Sequence, residues 1–507
     1  MRGLWVVLYA FSAVGLAVYG LNSLYLAVHF LRTRGVRHVP PSTPGHPLPT
    51  VTVQLPLYNE MNVVERLVGS VLALDYPADR IVVQVLDDST DGTTGLVGGA
   101  LSGVGEPWEW FAGADGSRSR AADVALVHEW VREDGLRVQH ILRADRSGYK
   151  AGALAFGMRV SHTDLYAIFD ADFVPPVDFL RRTVPHLADP DVGFVQARWG
   201  HLNRERSLLT RAQALAMDAH FAVEQQARFA SGFFFNFNGT AGVWRRAAIE
   251  EAGGWQARTL TEDLDLSYRA QLGGWRGVFA SDVVVPGEIP RDLNALKNQQ
   301  FRWAKGSLET GRLLAGAVVR AQMPLRVKMQ ALVHLFAYLV HPLLLVLLVS
   351  TAFLIGDFPM VLVFFGLTAY AGLSPPFMVA VGQWSLHRHW VRRLVLIPFL
   401  TALGMGIAVV NTRAAIEALL RVPSGFVRTP KEGSGRRRAD YRALVGVAPL
   451  LEVAAAVTAV WTLDAALAVG RHSAVPFLAL YAAAFSYVFL ASVTSAFKSA
   501  LGVPSGE

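Results

Sequence analysis

Residues 166–172 read YAIFDAD, in which the strand-forming run Tyr166–Phe169 stops abruptly on two carboxylates, Asp170 and Asp172. If the run is a buried strand, the two acids leave its carboxyl end at spacing i, i+2 and point the same way. Such a pair clamps a hard divalent cation that carries phosphate oxygens. An acidic turn after a strand is the plainer reading, and only the surrounding chain separates the two.

Upstream, Val51–Leu55 is a β-branched strand ending at Pro56, residues 60–73 have helical periodicity, and Ile81–Leu86 (IVVQVL) is a continuous apolar strand. Strand, helix, strand at this spacing predicts parallel pairing and a doubly wound sheet, whose ligands sit at the carboxyl edge of the strands. Asp87 and Asp88 follow IVVQVL as Asp170 and Asp172 follow YAIF. His140–Leu142 is a further strand, and after it Gly148 and Gly152 flank Lys150 at a loop-to-helix junction suited to phosphate. The Walker A spacing is absent. Thr261-Glu262-Asp263 opens a helical pattern, where Thr261 caps the helix or the acids serve a site. On a helix, Gln299, Arg302 and Trp303 share a face offering a flat ring and a guanidinium; the same helix lies on a membrane surface. Residues 98–123, rich in Gly, Ala and Ser without a period, are expected to be a surface insertion, mobile or partly disordered.

The apolar residues are unevenly spread over the 507-residue chain. Residues 1–38 form an anchor too long for a signal-peptide core, and Arg32, Arg34 and Arg37 after it place the following residues in the cytoplasm. A proline-rich linker at 39–49 leads into a soluble α/β domain over 50–325, ending in the interfacial helix. Residues 326–507 are a membrane region with spans expected at 331–355, 359–382, 445–469 and 475–497. Segment 394–411 is short, contains Pro398, Gly404 and Gly406, and has basic loops on both sides. It is expected to be re-entrant, which gives five spans, or six if it crosses. His334 and His341, seven apart in one expected span, fit helix packing better than metal binding. The net charge of +7 lies in loops flanking apolar segments and argues for topology, not nucleic acid. With no cysteine, disulfides, thiolate zinc sites and cysteine nucleophiles are excluded. Arginine outnumbers lysine 41 to 6, a bias that points to a GC-rich bacterial genome and hence to a bacterial inner membrane.

Taken in order, the acid pair, D-x-D, TED and Q-x-x-R-W on a soluble domain held between membrane segments resemble the processive family 2 glycosyltransferases, the cellulose synthase superfamily. QLPLYNE, IVVQVLDDSTD, GYKAGAL, IFDADF, VQARW, FNGTAGVWR, EAGGW and TEDLDL resemble most the plant cellulose-synthase-like A and C enzymes, which make mannan, glucomannan and glucan backbones. The resemblance is strong over residues 50–310 and loose in the membrane half. It implies a GT-A, Rossmann-like cytoplasmic domain with an α-helical transmembrane bundle. It implies that Asp87, with Asp88, holds the nucleotide base or ribose in a pocket lined by Tyr58 and Glu60, and that Lys150 lies near the diphosphate. Asp170 and Asp172 would bind Mg²⁺ or Mn²⁺, and Asp263, beside Glu262, would be the general base. Gln299, Arg302 and Trp303 would hold acceptor and diphosphate. Phe426, Thr429 and Lys431 in FVRTPK resemble a gating loop, within 412–443, although Arg428 replaces the usual valine and a plain basic loop fits equally. No cyclic-dinucleotide-binding domain is expected.

The resulting expectation is an inverting, metal-dependent transferase that elongates a β-1,4-glucan or mannan from UDP-glucose or GDP-mannose. Its partners would be donor, polysaccharide or glycolipid acceptor, lipid bilayer and export proteins. The alternatives are a non-processive glycolipid hexosyltransferase, similar to ceramide glucosyltransferases, and an inert saccharide-binding scaffold. The four intact acidic positions speak against the scaffold.

Overall fold

The computed structural model describes residues 2–41, 47–119, 124–356, 358–424, 431, 433 and 448–500. Among the described residues, ten strands form one sheet: β1 (Val51–Leu57), β2 (Ile81–Asp87), β3 (Trp108–Ala112), β4 (Arg118–Ser119), β5 (Ala125–Val131), β6 (Arg137–Arg143), β7 (Leu165–Ile168), β8 (Val192–His201), β9 (Gly242–Arg245) and β10 (Arg276–Gly287). Their order is β10-β8-β9-β7-β1-β2-β6-β5-β3-β4. The centre, β7-β1-β2-β6, is parallel as the strand–helix–strand spacing predicts. β9 inserts antiparallel between β7 and β8, and the far edge is antiparallel, so the sheet is mixed. This is the α/β, GT-A-like arrangement expected. β1 continues through Pro56 to Leu57 because β7 pairs with it only as far as Gln54. Beyond that point no partner on that side needs the missing N–H.

Both faces of the central sheet are covered by apolar clusters. Buried among them are three glutamines in register on neighbouring strands: Gln54 opposite Gln84, and Gln84 opposite Gln139. The Gln54 amide donates to Gln84 Oε1 at 3.1 Å and to Leu154 O at 3.2 Å. Gln84 donates to Gln139 Oε1 at 3.0 Å and to Gly157 O at 3.0 Å. Leu154 and Gly157 belong to the helix Tyr149–Val160, so the ladder fixes that helix along its axis. A Cβ on Gly157 would lie 2.5 Å from Gln54 Nε2, so the close approach requires glycine here. Lys150 sits in the first turn of this helix, which ties its position to the sheet.

The expectation of an irregular insertion at 98–123 is corrected for the described residues. Residues 98–101 end the helix Thr93–Leu101, and β3 and β4 extend the sheet by antiparallel pairing onto β5. Trp108 and Trp110 stack on the same face of β3, and the Arg118 guanidinium lies 4.2 Å from the Trp108 ring centre. Pairing with β5 supplies the order that local composition does not.

Among the described residues, four helices are long and apolar enough to cross a membrane: Arg2–Thr33, Ala337–Leu354, Pro449–Ala468 and Val475–Thr494. The chain is thus an integral membrane protein with several spans. The pair Trp390–Gly406 and Ala408–Leu419, bent by 40°, is a broken span or a re-entrant loop, matching the ambiguity of 394–411. A 29-residue helix, Phe358–Leu386, fills the segment expected at 359–382. The first expected span in this half is corrected at its start. The helix Leu325–Leu335 ends at Phe336, and the apolar helix begins at Ala337. His334 and His341 therefore lie on different helices. One pairs with the Tyr268 hydroxyl at 2.8 Å, the other with the Asn411 amide at 2.8 Å.

The helix Leu293–Arg320, capped by Asp292 through Ala295 N at 2.8 Å, joins the two halves. Its Lys297 pairs with Glu452 of the span Pro449–Ala468 and donates to Ser492 Oγ at 2.8 Å. Glu452 is fully buried, so removing its cation leaves an uncompensated charge at membrane depth. Lys297→Met is expected to destabilise the protein by about 3–5 kcal/mol, and Lys297→Met with Glu452→Leu to regain most of that. Thermal unfolding in detergent measures both; a Lys297→Met variant that melts with the unmodified protein would show that the pair contributes nothing.

Candidate functional site

The carboxyl ends of β1, β2 and β7 open into a cavity of about 450 Å³, lined by Tyr58, Glu60, Asp88, Lys150, Asp170, Asp172, Glu262, Asp263, Gln299, Arg302, Trp303 and Lys431. Strand ends supply Tyr58, Asp88, Asp170 and Asp172. The first turn of the helix Glu262–Leu272 supplies Glu262 and Asp263, with their acids at its positive end. Thr261 occupies the cap position of that helix but makes no capping bond with its side chain. The helix Leu293–Arg320 supplies Gln299, Arg302 and Trp303 on one face, as the i, i+3, i+4 spacing predicts.

Lys150 Nζ donates to Asp170 Oδ1 at 2.6 Å and to Gly239 O at 2.9 Å. Burial pulls the Lys150 ammonium down, but the carboxylates of Asp170, Glu262 and Asp263 outweigh it and hold its pKa above the ordinary value. Lys431 Nζ donates to Asp172 Oδ1 at 2.6 Å. Burial nevertheless pushes the Asp172 carboxyl up, with Lys431 opposing. Glu262 is raised by burial, opposed by Lys150. Asp263 is raised to about 7, first by burial and then by repulsion from Glu262. Burial lowers Arg302 to about 10, against the pull of Asp170 and Glu262. Among the described residues no third His, Cys, Asp or Glu joins Asp170 and Asp172 in a metal-sized cluster.

Asp87 does not line the cavity. Its carboxylate is fully buried, accepting from Ser89 N at 2.9 Å and Thr94 Oγ1 at 2.8 Å, and pairing with His140 Nε2 at 3.0 Å. Its neighbour Asp88 faces the cavity, gripped by Arg143 Nε at 2.8 Å and Arg143 NH2 at 2.5 Å. Asp87 thus braces the turn from which Asp88 projects. Phe426 and Thr429 lie outside the described residues; Lys431 is the member of that trio seen at the site.

Two contributors were not foreseen. Arg146 lines the cavity with its guanidinium 3.2 Å from the Tyr58 ring centre. The turn Asn238-Gly239-Thr240 forms another wall. Gln196 Oε1 receives Asn238 N at 2.8 Å, Gln225 Nε2 donates to Asn238 Oδ1 at 2.6 Å, and Thr240 Oγ1 receives Asp170 N at 2.8 Å. Gly239 has φ +81°, and a Cβ there would lie 2.9 Å from Asp263 Oδ2, so a side chain would strain the backbone and press on the acid. The FNGT sequence after an aromatic run was the available signal. The membrane half also contributes, through His341, Leu400, Leu403 and Gly404.

Comparison with known proteins adds a family. Residues 167–375 match the model of glycosyl transferase family group 2. The chain is 41% identical over 276 residues to glucomannan 4-beta-mannosyltransferase 2 of Arabidopsis thaliana, covering 54% of this chain and 47% of that protein. It is 42% identical over 262 residues to glucomannan 4-beta-mannosyltransferase 1 of Cyamopsis tetragonoloba, covering 51% and 45%. The chain spans about half the length of the curated relatives it matches. These are plant proteins and lend no support to the bacterial membrane inferred from the arginine bias. Among solved structures, a mannosyltransferase of Pyrobaculum calidifontis in complex with GDP-Man and Mn²⁺ aligns with TM-score 0.49 and 20% identity, over 82% of this chain and 100% of that one.

The raised Asp263 acid has a measurable signature in stability. Its pKa is higher folded than unfolded, so between about pH 4 and 7 the native state binds the extra proton and stability falls as pH rises. Asp263→Asn removes this loss. Its melting temperature is expected to exceed the unmodified protein's by a margin that grows from pH 4 to about 7 and is constant above. A margin independent of pH would contradict the raised acid.

Proposed function

We propose that this chain, which belongs to the family 2 glycosyltransferases, transfers a hexose from a nucleoside-diphosphate sugar to a saccharide hydroxyl with inversion at the anomeric carbon. The observation that carries the reading is the cavity itself. A near-neutral acid, Asp263, shares it with a pair of strand-end carboxylates, a lysine and an arginine.

Each role follows from the charge that must be moved. The acceptor oxygen attacks the anomeric carbon as the bond from that carbon to the diphosphate oxygen breaks. The acceptor proton passes to the Asp263 carboxylate, and the diphosphate departs with the bonding electrons. Lys150 and Arg302 offset the charge growing on the leaving group. Asp170 and Asp172 are hard oxygen donors from one strand end. Two such carboxylates suit Mg²⁺ or Mn²⁺ and would hold either ion on the donor side of the cavity. When bound, the ion would stabilise the leaving diphosphate. Tyr58, with Arg146 over its ring, offers a stacking platform for the nucleobase, and Glu60 and Asp88 border it. Gln299 and Trp303 face the acceptor side. Asp87 acts indirectly, by holding the Asp88 turn. Identity with the glucomannan mannosyltransferases supports a β-1,4-linked mannan or glucomannan product and GDP-mannose, with UDP-glucose as the competing donor. A glycolipid acceptor is the second reading, favoured by the aliphatic wall of Leu400 and Leu403.

The test incubates the membrane-reconstituted chain with labelled GDP-mannose, UDP-glucose and UDP-N-acetylglucosamine, with and without EDTA. Products are then treated with linkage-specific hydrolases or extracted into organic solvent. One donor should give an EDTA-sensitive product, polymer or lipid deciding between the readings. Asp263→Asn should lower turnover by about 10²–10⁴. Turnover should rise with pH up to about 7 and then level, because the acid must be ionised to accept a proton. No EDTA-sensitive product from any donor would overturn the proposal.

A further inference from the structure

The two carboxylates assigned to the metal are already paired within the chain. Each holds an ammonium at 2.6 Å, Lys150 on Asp170 and Lys431 on Asp172. The two lysines are held differently. Lys150 is built into the helix Tyr149–Val160, which the glutamine ladder fixes to the sheet, and it also donates to Gly239 O at 2.9 Å. Lys431 lies in neither helix nor strand. Its carbonyl accepts from Asn62 Nδ2 at 2.9 Å, and Gly433 N donates to Glu288 Oε1 at 3.2 Å. Its ammonium has a second acid, Glu60, at 3.7 Å. Both side chains of the Lys431–Asp172 pair are mostly shielded from water, at 17% and 10% exposure, so the contact is little screened.

A divalent cation bonds a carboxylate oxygen at about 2.0–2.1 Å for Mg²⁺. The carboxylate has lone pairs for both an ammonium and a metal ion, but with the ammonium nitrogen 2.6 Å from Asp172 Oδ1 the two cations would lie within about 4 Å of each other and repel in a site little screened by water. A cation arriving alone must therefore bear that repulsion or push Lys431 off Asp172 towards the more distant Glu60, at 3.7 Å. A cation arriving with a diphosphate brings the anion that replaces the lost carboxylate. Resting on the proposed donor site, we propose that Lys431 is the resident counter-ion of Asp172. A divalent cation then binds weakly to the free protein and tightly only together with a nucleoside diphosphate.

The experiment titrates Mn²⁺ into the full-length protein in nanodiscs and counts free Mn²⁺ by electron paramagnetic resonance, with and without GDP or UDP. Lys431→Met should bind Mn²⁺ about tenfold more tightly than the unmodified protein when no nucleotide is present. Saturating nucleotide should close most of that gap. Lys431→Arg should behave like the unmodified protein. Lys431→Gln repeats the neutral substitution with a polar side chain, in case the methionine variant does not fold. Asp172→Asn placed on Lys431→Met should abolish the gain. Equal affinities of the unmodified and neutral variants without nucleotide overturn the inference. So does a gain that survives Asp172→Asn, which would locate the ion elsewhere. Sugar transfer is not read in this titration, so absent turnover with the gap intact would refute the functional proposal and leave the counter-ion standing.

Discussion

The contact of Lys150 with Asp170 is the constraint on which the rest of the site depends. Asp170, Asp172, Glu262 and Asp263 line one cavity, and in so desolvated a space like charges cannot all persist uncompensated. Lys150 answers three of them at once, which is why its ammonium is favoured in spite of burial. That duty requires its helix to stay in place. The requirement reaches back through Gly157 and Leu154 to three glutamines buried across the sheet. A polar ladder in an apolar core is costly unless its groups are met, and the Gln54 and Gln84 amide nitrogens meet the next glutamine and the helix carbonyls, with Gln54 Oε1 left without a partner at the end of the ladder.

Lysine use across the chain follows the same logic. Of six lysines, Lys150, Lys297, Lys305 and Lys431 are each largely buried against an acid. Two of these pairs, Lys297 with Glu452 and Lys305 with Glu417, start from the helix that carries Gln299, Arg302 and Trp303. The acceptor-side residues are therefore held between charges that reach into the membrane half on both sides. Arginine, always ionised and more weakly hydrated, dominates elsewhere in the chain.

Much of this was legible in the sequence because a buried parallel strand must be apolar and must stop where the sheet stops. IVVQVL and YAIF each end where the structure ends the strand to within a residue, and acids follow both. The same logic could not tell Asp87 from Asp88. Successive residues at a strand end face opposite ways, and which of them faces the cavity depends on His140 and Thr94, brought in from elsewhere. Residues 98–119 misled because their composition is that of a loop, whereas pairing with β5 is a tertiary fact. The break at Phe336 was hidden because hydropathy runs on across it. Arg146 was passed over because one arginine among 41 carries no signal until Tyr58 is seen beneath it.

The share of the cavity wall contributed by His341, Leu400, Leu403 and Gly404 has a consequence of another kind. Leu400, Leu403 and Gly404 belong to the bent helix pair, whose depth and tilt respond to the hydrocarbon thickness around it. The bilayer is then a structural component of the site. A membrane that is too thin or too thick would shift one wall against the others while leaving every residue of the sheet in place.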